Sequence, residues 1–152
     1  MITADSTTTG VGADLDRFNR YGYYMGAAFQ IQDDVLNLVG DMARYGKEIG
    51  GDIAEGKRTL MLIHLLRACP DGTRERLREF LATPRRGRTA TDVRWVFEQM
   101  QRHGSIEHAR TTARVLAGAA LREYGVVYGS LPASPDRDFL RDVILYMIER
   151  DL

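Results

Sequence analysis

Apolar residues along this chain recur at three- and four-residue intervals, and nowhere do they alternate with polar ones as a half-buried strand requires. Leu15, Phe18, Tyr21, Met25 and Phe29 begin a pattern that predicts one long helix from about Asp14 to about Val39, with Gly40 as terminator. Gly22 and Gly26, four residues apart, would let a neighbouring helix come close. A second apolar run, Leu60, Leu62, Ile63, Leu65 and Leu66, predicts a helix from near Lys57 to Ala68, ended by Cys69-Pro70-Asp71-Gly72. A short charged helix follows over Thr73 to Leu81. An amphipathic one spans Thr91 to Arg102, with Val93, Val96, Phe97 and Met100 inward and Trp95 at the edge. Ser105 reads as the N-cap of a helix from Ile106 to about Tyr124, whose Ala109, Ala113, Ala117 and Ala120 suit close packing. Leu131 to Asp136 reads as a turn. Asp138 to Arg150 closes the chain with Phe139, Leu140, Val143, Ile144, Met147 and Ile148 as its inner face. The fold class is therefore all-α, a helical bundle over residues 14–152, preceded by a flexible arm over residues 1–13 that is rich in Thr, Gly, Ala and Ser and has no periodicity.

One stretch of the long helix breaks the simple amphipathic plan. At 100° per residue, Gln30, Asp33, Asp34, Asn37 and Asp41 fall in one narrow stripe, while Phe29, Ile31, Val35, Leu36, Leu38 and Val39 cover most of the remaining circumference. This predicts a largely buried helix with a polar seam. Buried carboxylates need a cation or hydrogen bonds, because desolvating them costs several kcal/mol or more. The seam therefore calls for a cation, a water-filled cavity, or both. Downstream, residues 42–56 carry Gly46, Gly50, Gly51 and Gly56, too many for a regular helix and enough for an anion-cradling loop, with Lys47 and Lys57 beside it. The first turn of the helix expected near Lys57 would add free backbone amides and Thr59.

Composition narrows the partners. The 152 residues are 44% hydrophobic and 28% charged, and 21 basic residues balance 21 acidic ones, so global charge gives no case for nucleic acid or an anionic membrane. The basic turn Pro84-Arg85-Arg86-Gly87-Arg88 lacks interleaved aromatics and reads as a solvated loop. The helices on either side of Gly104 resemble a helix-turn-helix only superficially. The single cysteine, Cys69, excludes an intramolecular disulfide, reads as a packed small hydrophobe and suits a cytoplasmic location. No segment approaches the ~18 consecutive apolar residues of a membrane span. His64 reads as a hydrogen-bonded core or edge residue, His103 and His108 as surface or capping residues. Tyr21, Tyr23 and Tyr24 read as core in preference to a ligand tunnel.

Carboxylates on one helix face with lysines just downstream suit the joint binding of Mg²⁺ and a polyphosphate. Mg²⁺ prefers hard oxygen ligands and is typically held by one or two carboxylates plus substrate phosphates and waters. The lysines would neutralise the remaining phosphate oxygens. The alternative from the same residues is a helix whose acids pair with arginines at a protein interface.

The run Phe29-Gln30-Ile31-Gln32-Asp33-Asp34-Val35-Leu36, followed by Gly46-Lys47, Gly51-Asp52 and Glu55-Gly56-Lys57-Arg58-Thr59, resembles the second aspartate-rich region of the trans-isoprenyl diphosphate synthases, the polyprenyl synthetase family. Gly104 to Arg110, Leu131 to Ser134 and Tyr146 to Asp151 resemble that family's closing helices. The resemblance implies the C-terminal part of the isoprenoid synthase fold. It also implies the family's Mg²⁺-dependent condensation of an allylic diphosphate with isopentenyl diphosphate. It gives Asp33 and Asp34 as Mg²⁺ ligands, Lys47 and Lys57 as ligands of the allylic diphosphate, and Gln30 as a neighbour of the reacting centre. Asn37, uncharged where the family has aspartate, is the weakest of the metal candidates. No first aspartate-rich motif is present in the sequence. The expectation is therefore a C-terminal half that is inactive alone and works in a homodimer or heterodimer with a chain supplying the missing half. The alternative is a non-catalytic partner or regulatory subunit of a complete synthase.

Overall fold

The periodicity translates directly into helices. A computed structural model of the chain describes residues 8–40 and 50–149, and among them are seven α-helices and no strand. They are α1 (Thr8–Val39), α2 (Gly51–Glu55), α3 (Leu60–Ala68), α4 (Asp71–Ala82), α5 (Ala90–Arg102), α6 (Ser105–Tyr128) and α7 (Pro135–Glu149), with a 3₁₀ turn at Arg85–Gly87. The described residues form two compact units: one from residues up to 29 and from 113 onward, the other from residues 30–112. Helices α1 and α6 each contribute to both.

The unit of residues 30–112 is built around Val35, Leu38, Ile53, Leu62, Leu65, Leu77, Val96 and Met100, with Cys69 buried among them as a small hydrophobe. Helix α5 packs against both α2 and α3. It starts at a complete capping box: the Thr89 hydroxyl accepts the Asp92 N–H at 3.2 Å, and the Asp92 carboxylate accepts the Thr89 N–H at 3.0 Å. In the other unit, Tyr21, Ala28, Ala117, Ala120, Tyr124, Ile144 and Met147 form the core. The buried Tyr21 hydroxyl donates to the Leu140 carbonyl at 3.1 Å, and Tyr124 donates to the Arg137 carbonyl at 2.7 Å. The rings of Tyr21, Tyr124 and Tyr128 pack against one another, so Tyr21 is core, whereas Tyr23 is exposed.

Several boundaries differ from the periodic reading. Helix α1 begins at Thr8, ahead of Asp14, because a helix is held by backbone hydrogen bonds that hydrophobic spacing does not register. Helix α3 begins at Leu60, because Thr59 takes the N-cap and accepts the Leu62 N–H at 3.3 Å; Lys57 and Arg58 precede it. One of its free amides is thus already used. Helix α7 begins at Pro135, suited to a first helical position, with the Ser134 hydroxyl accepting the Arg137 N–H. Ser105 is inside α6 and not its cap. The chain turns at Gly104, whose φ of 68° favours glycine, and the buried Ser105 hydroxyl meets His64 Nδ1 at 3.0 Å. Phe139 is 65% exposed, so the inner face of α7 rests on Ile144 and Met147. Phe29 and Val39 are also exposed, which makes α1 less enclosed than its apolar circumference predicts. Among the described residues nothing lies within 4 Å of a side chain built at Gly22 or Gly26.

Candidate functional site

The polar seam on α1 leads to a charged cluster in the unit of residues 30–112. Asp34 is 7% exposed, and its Oδ1 accepts a hydrogen bond from Lys57 Nζ at 2.6 Å and another from Gln30 Nε2, one turn earlier, at 3.0 Å. The same Lys57 ammonium reaches Asp52 Oδ2 at 3.1 Å. One cation thus bridges two carboxylates. The hydrogen bond to Asp34 is the main cause of the upward shift of the Lys57 pKa from its ordinary value, with partial burial working against it. Asp33, the next residue on α1, is half-buried.

Local backbone chemistry explains how Lys57 arrives there. The glycine-rich segment read as a loop contains the five-residue helix α2, which ends in a Schellman motif. Gly56, at φ 71°, donates its N–H to Ile53 O at 2.9 Å, and Lys57 donates its N–H to Asp52 O at 2.9 Å. Glycine is required in that left-handed position, and the residue after it is thrown back toward α1. The other end of α2 is tied to α1 as well: the Asp52 N–H approaches Asn37 Oδ1 at 3.4 Å. The oxygen expected to face a metal at Asn37 is therefore directed to the backbone of α2.

Of the residues singled out in the sequence, Gln30, Asp34 and Lys57 come together directly. Asp33 adjoins them on α1, Asn37 is a second anchor of α2, and Lys47 lies outside the described residues, as does Asp41. Asp52 belongs to the cluster although only the motif pointed to it. Arg88, read as part of a solvated basic turn, is half-buried and donates to the carbonyls of Ala54, Phe80 and Leu81.

Behind the cluster is a water-sized cavity of about 10 Å³, bounded by Leu38, Ile53, Met61, Phe80 and Met100 below the Asp34–Lys57 pair. A larger cleft of about 440 Å³ lies between α2 and α5, lined by Leu38, Ala54, Val93, Arg94 and Phe97. It includes none of Asp33, Asp34 and Lys57. This cleft is therefore separate from the charged cluster and its exposed side. The donor set there is oxygen-only, as a hard cation such as Mg²⁺ requires. Among the described residues no three His, Cys, Asp or Glu side chains converge as a closed metal cage. Asp33 and Asp34 fit an ion that takes one or two carboxylates and completes its shell with waters and phosphate oxygens.

The chain belongs to the polyprenyl synthetase family, whose family model matches residues 2–100. It is 34% identical over 142 residues to a short chain isoprenyl diphosphate synthase of Methanothermobacter thermautotrophicus, covering 93% of this chain and 41% of that one. It is 28% identical to heptaprenyl diphosphate synthase component 2 of Geobacillus stearothermophilus, over 90% of this chain and 40% of that one. Among solved structures it resembles geranylgeranyl pyrophosphate synthetase from Pyrococcus horikoshii, with a TM-score of 0.73, 30% identity, and coverage of 90% of this chain and 39% of that one. It also resembles geranylgeranyl pyrophosphate synthase from Corynebacterium glutamicum complexed with isoprenyl diphosphate and magnesium, with a TM-score of 0.72, 27% identity, and coverage of 89% and 37%. The chain spans between a quarter and about two fifths of the length of the curated relatives it matches. The all-α architecture is that of these synthases. No described helix is long and apolar enough to cross a membrane.

Proposed function

We propose that this chain supplies the second diphosphate–Mg²⁺ half-site of a prenyl diphosphate synthase, which condenses an allylic diphosphate with isopentenyl diphosphate, and that turnover requires a partner carrying the opposing aspartate-rich motif. The observation that carries this reading is the Lys57 ammonium held between the buried carboxylate of Asp34 and that of Asp52, beside Asp33. Bound Mg²⁺ would supply the charge neutralisation that lets diphosphate depart. Asp33 and Asp34 would hold the ion. Gln30 orients Asp34 through its amide, which leaves the second carboxylate oxygen available. Lys57 uses two of its three donors on Asp34 and Asp52, and with its side chain 42% exposed it retains one for a phosphate oxygen. Lys47 would contribute a second cation to the same diphosphate. Catalysis in such a site is electrostatic and positional.

A second reading, a non-catalytic subunit that docks a complete synthase, draws support from Leu15, Phe18 and Tyr23, which α1 leaves exposed beside the open Gly22–Gly26 surface. It also agrees with a relative whose name makes it one component of a heptaprenyl diphosphate synthase. One experiment separates the two: product formation from labelled isopentenyl diphosphate and an allylic diphosphate with Mg²⁺, for the chain alone and with a chain bearing the first motif. We expect turnover only in the mixture, abolished by Asp33→Ala. Turnover in the mixture that survives Asp33→Ala and Asp34→Ala favours the docking role. Turnover by the lone chain refutes the need for a partner. The absence of any thermal shift with Mg²⁺ plus inorganic diphosphate refutes the half-site.

A further inference from the structure

Arg88 stands at the junction of two helix ends. Helix α4 finishes at Ala82, and its last carbonyls lack intrahelical donors; Arg88 Nε–H reaches Phe80 O at 3.2 Å and Nη2–H reaches Leu81 O at 3.1 Å. Helix α2 finishes at Glu55, and Nη1–H reaches Ala54 O at 2.9 Å. The guanidinium also lies over the Phe80 ring, 4.9 Å from its centroid, and Phe80 borders the cavity behind Asp34 and Lys57. On its other side it abuts Gly56 so closely that a Cβ there would be 2.5 Å from Nη1. Gly56 is the residue immediately before Lys57. A planar fork with several fixed donors can satisfy carbonyls from two segments at once, which a lysine ammonium on a flexible stem cannot reproduce.

We propose that Arg88 is the positioning residue of the diphosphate half-site: by bracing the C-terminal turn of α2 against the end of α4, it holds the Lys57 ammonium between Asp34 and Asp52. Arg88 touches neither carboxylate and acts only through the Ala54–Gly56 backbone. The proposal rests on the reading of Lys57 as a diphosphate ligand and adds the residue that sets its place.

The chain has only two lysines, Lys47 and Lys57, which makes the consequence directly observable. With ¹³C-labelled lysine, the two Cε resonances can be followed separately at neutral pH and assigned with Lys47→Arg. In Arg88→Ala and Arg88→Lys, each verified as folded by circular dichroism, the Lys57 Cε resonance should move toward the position of a free lysine side chain as the ammonium leaves Asp34 and Asp52. Binding of Mg²⁺ plus inorganic diphosphate, read by calorimetry, should weaken by about 10-fold or more, as when a supporting partner of a ligating group is lost. Arg86→Ala, an exposed neighbour, should change neither readout. If Arg88→Ala does not fold, Arg88→Lys decides, since it keeps a cation at the end of α4. An unchanged Lys57 Cε resonance in a folded Arg88 variant overturns the proposal, because a purely structural brace would lower stability without moving that resonance. A wild-type chain that binds no Mg²⁺-diphosphate sinks the proposed function, while the Lys57 resonance still decides the role of Arg88.

Discussion

Replacing Lys57 by alanine removes the only described cation in contact with Asp34, a carboxylate that is 7% exposed. A fully buried pair broken from one side costs about 3–5 kcal/mol, whereas an exposed pair is worth about 0–1 kcal/mol. Lys57 is itself 42% exposed, and Asp34 retains the Gln30 amide, so solvent and one hydrogen bond cover part of the loss. The expected destabilisation of Lys57→Ala is about 1–2 kcal/mol, or roughly 2–8 °C in Tm for a chain of this size. Asp34→Asn should cost less, since Lys57 keeps Asp52. The double variant should be more stable than the sum of the singles by about 0.5 kcal/mol or more, the signature of direct coupling. A double-mutant cycle by urea unfolding measures it. Adding Mg²⁺ supplies an independent check: in Lys57→Ala the uncovered carboxylates should take the ion and recover part of the lost stability, with little effect on Asp34→Asn. The pH dependence follows from the raised Lys57 pKa. The folded state holds the proton more tightly than the unfolded chain, so the pair's contribution is fully present below the ordinary lysine value of 10.5 and is lost as pH rises through the higher folded value. Additivity of the two substitutions within about 0.3 kcal/mol would refute the coupling, and with it the claim that Lys57 is the counter-ion of Asp34.

Other regions make equally definite predictions. Leu65 is completely buried, so Leu65→Ala should cost about 2–5 kcal/mol in urea unfolding. Thr89→Ala removes the hydroxyl half of the α5 capping box and should cost about 1 kcal/mol, whereas Thr89→Ser should be nearly neutral. His64, whose pKa burial pushes below its ordinary value, with His108 stacked at 4.2 Å adding to the shift, should make the protein less stable as pH falls. Its contribution is complete above the ordinary histidine value of 6.5 and disappears as pH drops through the lowered folded value. Urea midpoints at neutral and mildly acid pH should differ less in His64→Gln than in the wild type.

The helical architecture was legible because each helix carries an apolar stripe of its own, and because Gly40, Pro70 and Gly104 interrupt those stripes where the described helices stop. Helix starts were less legible, since Thr59 and Pro135 act through backbone amides and a fixed φ that hydrophobic spacing does not encode. In the site, Asp34 and Lys57 could be suspected of meeting because a carboxylate on a largely apolar helix needs a cation and few are near in sequence. Arg88 could not. Its acceptors are backbone carbonyls, as much as 34 residues away, and any residue type at position 54 would offer the same oxygen. The remaining clue was positional: an arginine between the end of one helix and the N-cap of the next. Ser105 shows the converse error. Its sequence context reads as a cap, yet tertiary packing gives its hydroxyl to His64.

The side chain at position 37 also changes the electrical character of the site. Among the described residues, three carboxylates, Asp33, Asp34 and Asp52, stand against one ammonium, that of Lys57, which leaves a formal charge of −2. That is equal and opposite to the charge of a single divalent cation. An aspartate in place of Asn37 would raise the deficit to −3 and would turn a carboxylate toward the α2 N–H that the amide oxygen now approaches. The asparagine thus gives up one unit of negative charge while keeping an oxygen for the tether to α2.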